Sequence, residues 1–168
     1  MITQVSNLLN LPVISQHGEL LGEISDVVFD HENGNILGFL LKTKGFLSKP
    51  QAISTNDVVT FHRKVIILNS SDSVVEIPEV VRLQKEIDSK IKILEARAIT
   101  ESGKRLGSIE NLLINTETGS IIKYYIKSVI AGRRIIPAEK VIEIKKEGVI
   151  FSEDVTVGTA LSSEVVMA

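Results

Sequence analysis

The sequence contains no cysteine and no tryptophan, and aromatic residues make up only 4% of its 168 positions. Without cysteine, disulfide bonds, thiolate nucleophiles and cysteine-ligated zinc sites are excluded. With so few aromatic side chains, Ile, Val and Leu must fill the core, and β-branched residues pack well on the pleated surface of a sheet. Composition therefore predicts an all-β fold.

The sequence also lacks an excess of either charge and any long apolar run. Its 19 basic and 21 acidic residues give a net charge of −2, so charge alone indicates neither nucleic acid nor another class of partner. No apolar run approaches the roughly 20 residues that span a bilayer, and the first residues lack the cationic start of a signal peptide. We expect a cytoplasmic protein without direct membrane insertion.

Catalytic motifs are absent as well. The sequence has no Gly-x-Ser-x-Gly elbow, no Walker loop and no Gly-x-Gly-x-x-Gly segment. Its three histidines, His17, His31 and His62, lack the spacing of a local metal site. We therefore expect a non-enzymatic protein with no catalytic residues, no cofactor and no metal.

What the sequence does contain is an internal repeat. Residues 18–30, closed by Gly34, recur as residues 103–115, closed by Gly119, at a constant offset of 85 positions. In each copy an Asp or Asn begins the connection and a Gly ends it, which is typical of a hairpin turn. The repeat predicts two domains of one architecture.

Within each copy, the alternation of apolar residues changes phase. Leu20 and Ile24 occupy one face of an extended strand, whereas Val27 and Phe29 occupy the other, so a β-bulge is predicted near Asp26. The second copy shows the same change near its Asn111. Two further glycines, Gly22 and Gly107, favour a sharply coiled strand that another backbone approaches closely.

Acidic residues around this stretch allow two interpretations. Asp26, Asp30 and Glu32 are close enough in sequence for a calcium loop, but the ligand spacing of an EF-hand is missing. The second copy has Asn111 and Asn115 in place of the two aspartates. A cation site and turn capping by the side chains both remain open, and capping is favoured.

The strand after each turn predicts an inner and an outer face. In the first copy Leu37, Phe39 and Leu41 should face the core, while Gly38 and Lys42 face water. This assignment leaves apolar residues on the wetter face, where another element, the other repeat or a partner must cover them. These residues are Ile36, Leu40, Ile121 and Tyr125.

One helix is predicted between the repeats, over residues 78–90. Pro78 suits its first turn, and Val80, Leu83 and Ile87 form one apolar stripe. The expected organisation is a first domain, a linker helix, a second domain and a tail expected to be poorly ordered, at residues 1–76, 77–92, 93–152 and 153–168.

The repeated motif resembles the PRC-barrel family. Its pattern joins two glycines, an Asp-Val-Val segment and a closing Asp and Gly, at Gly18, Gly22, Ile24, Asp26, Val27, Val28, Asp30 and Gly34. The second copy has the same pattern with Asn in place of each Asp and with Leu112 and Leu113 in place of the two valines. The resemblance implies two tandem small β-barrels of about six strands each, joined by one α-helix, and it implies binding rather than catalysis.

The leading hypothesis is a cytoplasmic scaffold or adaptor, from a bacterium, that uses tandem PRC-barrel domains to bind an unknown protein partner. A homo-oligomer is also compatible with this pattern. One alternative is RNA or ribosome association through phosphate contacts of the second barrel, and another is a peripheral role in a photosynthetic or membrane-associated complex. The candidate partner-binding residues are Phe46, Leu47, Leu40, Tyr125, Arg133 and Arg134.

Overall fold

The computed structural model describes residues 1–43 and 49–156, and these residues contain fourteen strands and one α-helix. The elements up to the helix are β1 (Ile2–Gln4), β2 (Pro12–Ser15), β3 (Leu20–Phe29), β4 (Ile36–Lys42), β5 (Gln51–Ser54), β6 (Val58–His62), β7 (Val65–Leu68), β8 (Val75–Glu76) and α1 (Val81–Ser89). The strands after it are β9 (Arg97–Thr100), β10 (Arg105–Asn115), β11 (Ser120–Ser128), β12 (Gly132–Pro137), β13 (Val141–Lys145) and β14 (Gly148–Phe151).

The strands form two seven-stranded sheets with the same internal order. The first sheet runs β6-β7-β2-β3-β4-β5-β8, and the second runs β13-β14-β9-β10-β11-β12, with β1 added alongside β10. Each of the first six strands in one sheet therefore has a counterpart in the other. The predicted all-β fold with two domains joined by one helix is confirmed.

The predicted bulges are present in both repeats. The register between β3 and β4 shifts between Ile24 and Asp26, and the register between β10 and β11 shifts between Ile109 and Asn111. At the first bulge, the Val27 backbone N–H donates to Asp26 Oδ1 at 2.8 Å. The extra residue turns Val27 and Phe29 to the buried side together with Ile24. Asp26 therefore satisfies the backbone at its own bulge.

The two bulge-strand glycines lie against the neighbouring strand, as predicted. Gly107 has φ +144°, and a Cβ built on it would lie 2.3 Å from the carbonyl oxygen of Lys127. Gly22 has φ +157°, and the same construction places a Cβ 2.9 Å from the carbonyl oxygen of Lys42. No side chain fits at these separations, so the coiling of β3 and β10 depends on glycine.

The two repeats share one hydrophobic core. Ile36 and Ile121, which the sequence pattern placed on the wetter face of their strands, are both buried. The turns of the two repeats meet beside them, because the Ile36 backbone N–H donates to the Gly119 carbonyl at 2.7 Å and Asn35 forms a bridge with Ser120. The cover for these two isoleucines is therefore intramolecular.

Strand β1 crosses from the first repeat to the second sheet. Ile2 pairs with Asn115 and Gln4 with Leu113, and a short 3-10 turn follows at Val5–Asn7. The crossing adds a second set of backbone hydrogen bonds between the two halves of the chain.

Helix α1 packs on the outer face of the first sheet. It begins at Val81, later than predicted, because residues Ile77–Glu79 form a separate 3-10 turn with a capping box. Leu83 of the helix is buried against Val28 and Ala52. Gly38, expected to face water, is instead buried, because Leu83 lies over it.

The segment after the second sheet is described only in part. Glu153–Thr156 form a 3-10 turn, and residues 157–168 lie outside the described part of the chain. The expectation of a poorly ordered tail falls mostly on those residues. No helix in residues 1–43 and 49–156 is long and apolar enough to cross a membrane.

Tyr124 gives the core a measurable dependence on pH. It is buried and meets Phe151 edge to face, with ring centroids 5.4 Å apart. Burial raises the pKa of its phenol well above the usual value of about 10. The unfolded chain therefore releases this proton first, and folding stability falls as the pH rises above about 10.

We expect Tyr124→Phe to reduce the loss of stability between about pH 9 and pH 11, since it removes the buried titrating group. Urea unfolding of the parent and the variant across that range measures the difference. Tyr125→Phe is the matched control, because Tyr125 is only half-buried. Equal pH profiles for Tyr124→Phe and the parent would contradict the assignment.

Candidate interaction surface

The outer faces of the two sheets differ in what covers them. In the first sheet, Leu40 of β4 lies opposite Ala52 of β5. Both belong to the apolar cluster beneath α1, where Ala52 is completely buried and Leu40 half-buried. The cover that the sequence required for Leu40 is therefore supplied by the helix.

The same positions of the second sheet are Tyr125 of β11 and Ile135 of β12, which also lie opposite each other. Ile135 is 40% exposed, whereas its counterpart Ala52 is 0% exposed. Lys127 and Arg133 form the next cross-strand pair on that face, two residues closer to the turn. We call Tyr125, Lys127, Arg133 and Ile135 the β11–β12 face.

One substitution between the repeats explains why a helix like α1 does not fit there. In the first sheet Gly38 leaves room for Leu83, and a Cβ at Gly38 would lie 2.8 Å from Leu83 Cδ1. The corresponding position in the second sheet is Lys123, next to Tyr125 on β11. A side chain at this position would meet a helix that packed as α1 does in the first repeat, where even a Cβ at Gly38 would approach Leu83.

The turn between β11 and β12 carries two exposed apolar side chains. Val129 and Ile130 have relative exposures of 101% and 98%. Backbone N–H groups of Ile130 and Ala131 donate to Ser128 Oγ at 3.4 and 3.2 Å, which fixes the turn locally. The turn therefore presents a small apolar tip beside the β11–β12 face.

The structure separates the predicted site residues. Tyr125 and Arg133 lie on the β11–β12 face, and Arg133 Nε forms an ion pair with Glu110 at 2.9 Å. Arg134 points to the opposite side of β12, is half-buried, and its Nε is buried without a hydrogen-bond partner among the described residues. Leu40 is under α1, while Phe46 and Leu47 lie outside the described residues.

Three exposed apolar residues were missed from the sequence: Ile135, Val129 and Ile130. Aligning the two repeats places Ile135 at the position of the smaller Ala52, so the sequence shows a larger apolar residue there. The sequence does not show that Ile135 is exposed, since the repeat does not indicate which copy has a helix over this position. Val129 and Ile130 are ordinary strand-forming residues, and only the position of the turn exposes them.

One ion pair and one hydrogen bond attach α1 to the turn between β3 and β4. Arg82 Nη2 donates to Asp30 Oδ2 at 2.9 Å, and His31 Nδ1 lies 2.8 Å from Glu86 Oε1. Arg82 and Glu86 are four residues apart, so they lie on one face of the helix. Asp30 Oδ1 also accepts from the Glu32 backbone N–H at 2.9 Å. The capping role predicted for the turn acid is present.

Asp30, His31 and Glu86 also bring three potential metal ligands within 4.8 Å of one another. Asp30 is already bonded to Arg82, and Glu86 to His31, so each carboxylate has a cationic or hydrogen-bonding partner. The arrangement holds the helix in place over the outer face of the first sheet. A cavity of about 540 Å³ lies beside it, between α1, β3 and the segment after the helix, with Val27, Phe29 and Ile87 among its walls.

Comparison with known proteins is consistent with this architecture. A model of the PRC-barrel domain family matches residues 3–75. The chain is also 27% identical over 150 residues to "Uncharacterized protein YrrD" of Bacillus subtilis (strain 168), across 84% of this chain and 82% of that protein. The match to YrrD extends over both repeats, whereas the family model covers the first. Residues 3–75 therefore form a PRC-barrel domain.

Proposed function

We propose that this protein is a non-enzymatic adaptor that binds another protein through the β11–β12 face and the adjoining turn. The observation that carries the proposal is the difference between the two repeats. One fold occurs twice, and the outer face that α1 covers in the first copy has no helix over it in the second, within the described residues.

The chemistry of the face supports a protein partner. Tyr125 and Ile135 lie side by side, and Val129 and Ile130 extend the apolar surface at the turn. Aromatic and large aliphatic residues with a polar rim are typical of the centre of a protein interface. Lys127 and Arg133 supply that rim.

The charges favour a protein partner over RNA. Arg133 is engaged by Glu110, so the face holds a carboxylate beside its cations. RNA binding requires several unopposed cations along the phosphate backbone, and this chain has a net charge of −2. Nuclease treatment in the binding experiment distinguishes RNA association from binding of a protein.

The proposal is tested by affinity purification of the tagged protein from its native cells, with and without nuclease. We expect a defined protein to co-purify in both conditions and to be reduced at least about tenfold by the double variant Tyr125→Ala, Ile135→Ala, because hot-spot truncation typically costs 2 kcal/mol or more. Val59→Ala is the matched control, since Val59 is an exposed strand residue of the first sheet.

Retention of all partners by the double variant would refute the β11–β12 face as the binding surface. Loss of the partners on nuclease treatment would instead support the RNA alternative. If only the tagged chain is recovered, and it sediments as an oligomer that the double variant converts to a monomer, the face joins two copies of this protein.

A further inference from the structure

The two sheets also differ at one edge. A short strand covers this edge in the first sheet, and no described strand covers the matching edge of the second sheet. In the first sheet, β5 is not the last strand, because the two residues of β8 pair with it. In the second sheet, β12 is the terminal strand and pairs only with β11 among the described residues. An unpaired strand edge is a template for another strand.

The first sheet shows how such an edge strand is occupied. Strand β8 runs antiparallel to β5, with Val75 opposite Ala52 and Glu76 opposite Gln51. Counting from the cross-strand pairs with β4 and β11, Ala52 corresponds to Ile135 and Gln51 to Arg134. An equivalent strand on β12 would therefore place one residue opposite Ile135 and the next opposite Arg134.

The residues on β12 suit such a strand. Ile135 is 40% exposed, and an apolar residue in the position of Val75 would remove part of that surface from water. At the next position, the first sheet has Glu76 bound to Lys49 at 3.0 Å. Lys49 has no basic counterpart at the same place in the second sheet, where Gly132 begins β12.

In the second sheet, the cation at the corresponding edge is Arg134, which belongs to β12. Its Nε is buried and has no hydrogen-bond partner among the described residues. A guanidinium group pairs well with a carboxylate, and a buried donor without an acceptor is costly. A carboxylate on the incoming strand, opposite Arg134, would supply the acceptor.

We propose that the partner protein adds an antiparallel strand to β12, with an apolar residue opposite Ile135 followed directly by Asp or Glu opposite Arg134. This inference rests on the proposed adaptor function and specifies how the partner binds. Main-chain hydrogen bonds to the edge provide affinity, and the apolar and acidic side chains provide selectivity.

The charge of β12 also disfavours pairing of this edge with β12 of a second copy of the protein. Two β12 strands paired with each other would bring Arg133 and Arg134 of one copy close to the same residues of the other. Like charges across a strand pair are unfavourable. The basic edge therefore disfavours its own copy and selects an acidic segment.

The test uses the full chain and a peptide with the sequence of residues 73–80, Ser-Val-Val-Glu-Ile-Pro-Glu-Val, which copies β8 and the turn after it. Two-dimensional amide NMR at low protein concentration follows the binding. We expect saturable shifts centred on Arg134 and Ile135. We expect Arg134→Glu to weaken binding about tenfold and a peptide carrying Lys in place of Glu76 to restore binding to that variant, because the charges are exchanged.

Lys64→Glu is the matched control, since it changes the net charge equally but lies in the exposed turn between β6 and β7 of the first sheet. The proposal is overturned if no saturable shift occurs up to about 5 mM peptide, a concentration at which even millimolar affinity is detected. It is also overturned if the shifts centre on Ala52, or if Lys64→Glu and Arg134→Glu weaken binding equally.

Two further results separate this inference from the adaptor function. If the amides of β12 are already protected from hydrogen exchange in the monomer and the peptide shifts nothing, the edge is closed by the chain itself and strand addition fails. If affinity purification still depends on Tyr125 and Ile135 but is unchanged by Arg134→Glu, the adaptor function stands and strand addition is wrong.

Discussion

Replacing Gly107 by alanine is expected to destabilise the protein by about 3–5 kcal/mol. Two costs combine at this position. The backbone has φ +144°, which L side chains rarely adopt, and the new Cβ would lie 2.3 Å from the carbonyl oxygen of Lys127. Neither cost can be relieved by a rotamer change, because both involve the main chain.

Chemical denaturation measures the effect, and Gly103→Ala is the matched control. Gly103 has φ +86°, yet a Cβ built there meets nothing within 4 Å. It therefore carries only the strain of the left-handed conformation, about 1–2 kcal/mol. If the two variants lose the same free energy of unfolding, the close approach of β10 to β11 is not the reason for Gly107.

The second large effect is expected for Leu83→Ala in α1. Leu83 is 1% exposed, packs on Val28 and Ala52, and fills the space that Gly38 leaves open. Removing a buried leucine side chain typically costs about 2–5 kcal/mol, depending on how far the cavity collapses. We expect a loss in that range, together with faster hydrogen exchange of the α1 amides.

Val81→Ala is the control for this change, because Val81 lies on the same helix and is 78% exposed. It should alter the free energy of unfolding by less than about 0.5 kcal/mol. A loss below about 1 kcal/mol for Leu83→Ala would show that α1 is not held by its apolar stripe. The polar contacts of Arg82 with Asp30 and of Glu86 with His31 would then be its main attachment.

Both predictions bear on the adaptor proposal. Gly107 shapes β10, which pairs with β11 and therefore lies directly beside the β11–β12 face in the same sheet. Leu83 shows what occupies the same face in the other repeat. Among the described residues, the outer face of the first sheet carries a helix and the outer face of the second does not, and the adaptor proposal rests on this difference.

Local features of this protein were determined by its sequence. The bulges near Asp26 and Asn111, the close approaches at Gly22 and Gly107 and the hairpin turns that end in glycine all follow from spacing and from backbone sterics. These are short-range constraints, since a phase change or a positive φ must be accommodated within a few residues. The inward assignment of Phe39 follows from the same alternation.

The tertiary structure alone decided which faces and edges are covered. Nothing in the sequence of β1 indicates that it pairs with β10, and nothing near Asp30 indicates that Arg82 and Glu86, more than fifty positions away, complete its turn. Ala52 and Ile135 occupy equivalent places, yet one is buried and the other exposed. Burial depends on long-range packing, where many weak contacts are added together, so identical local patterns can end in different environments.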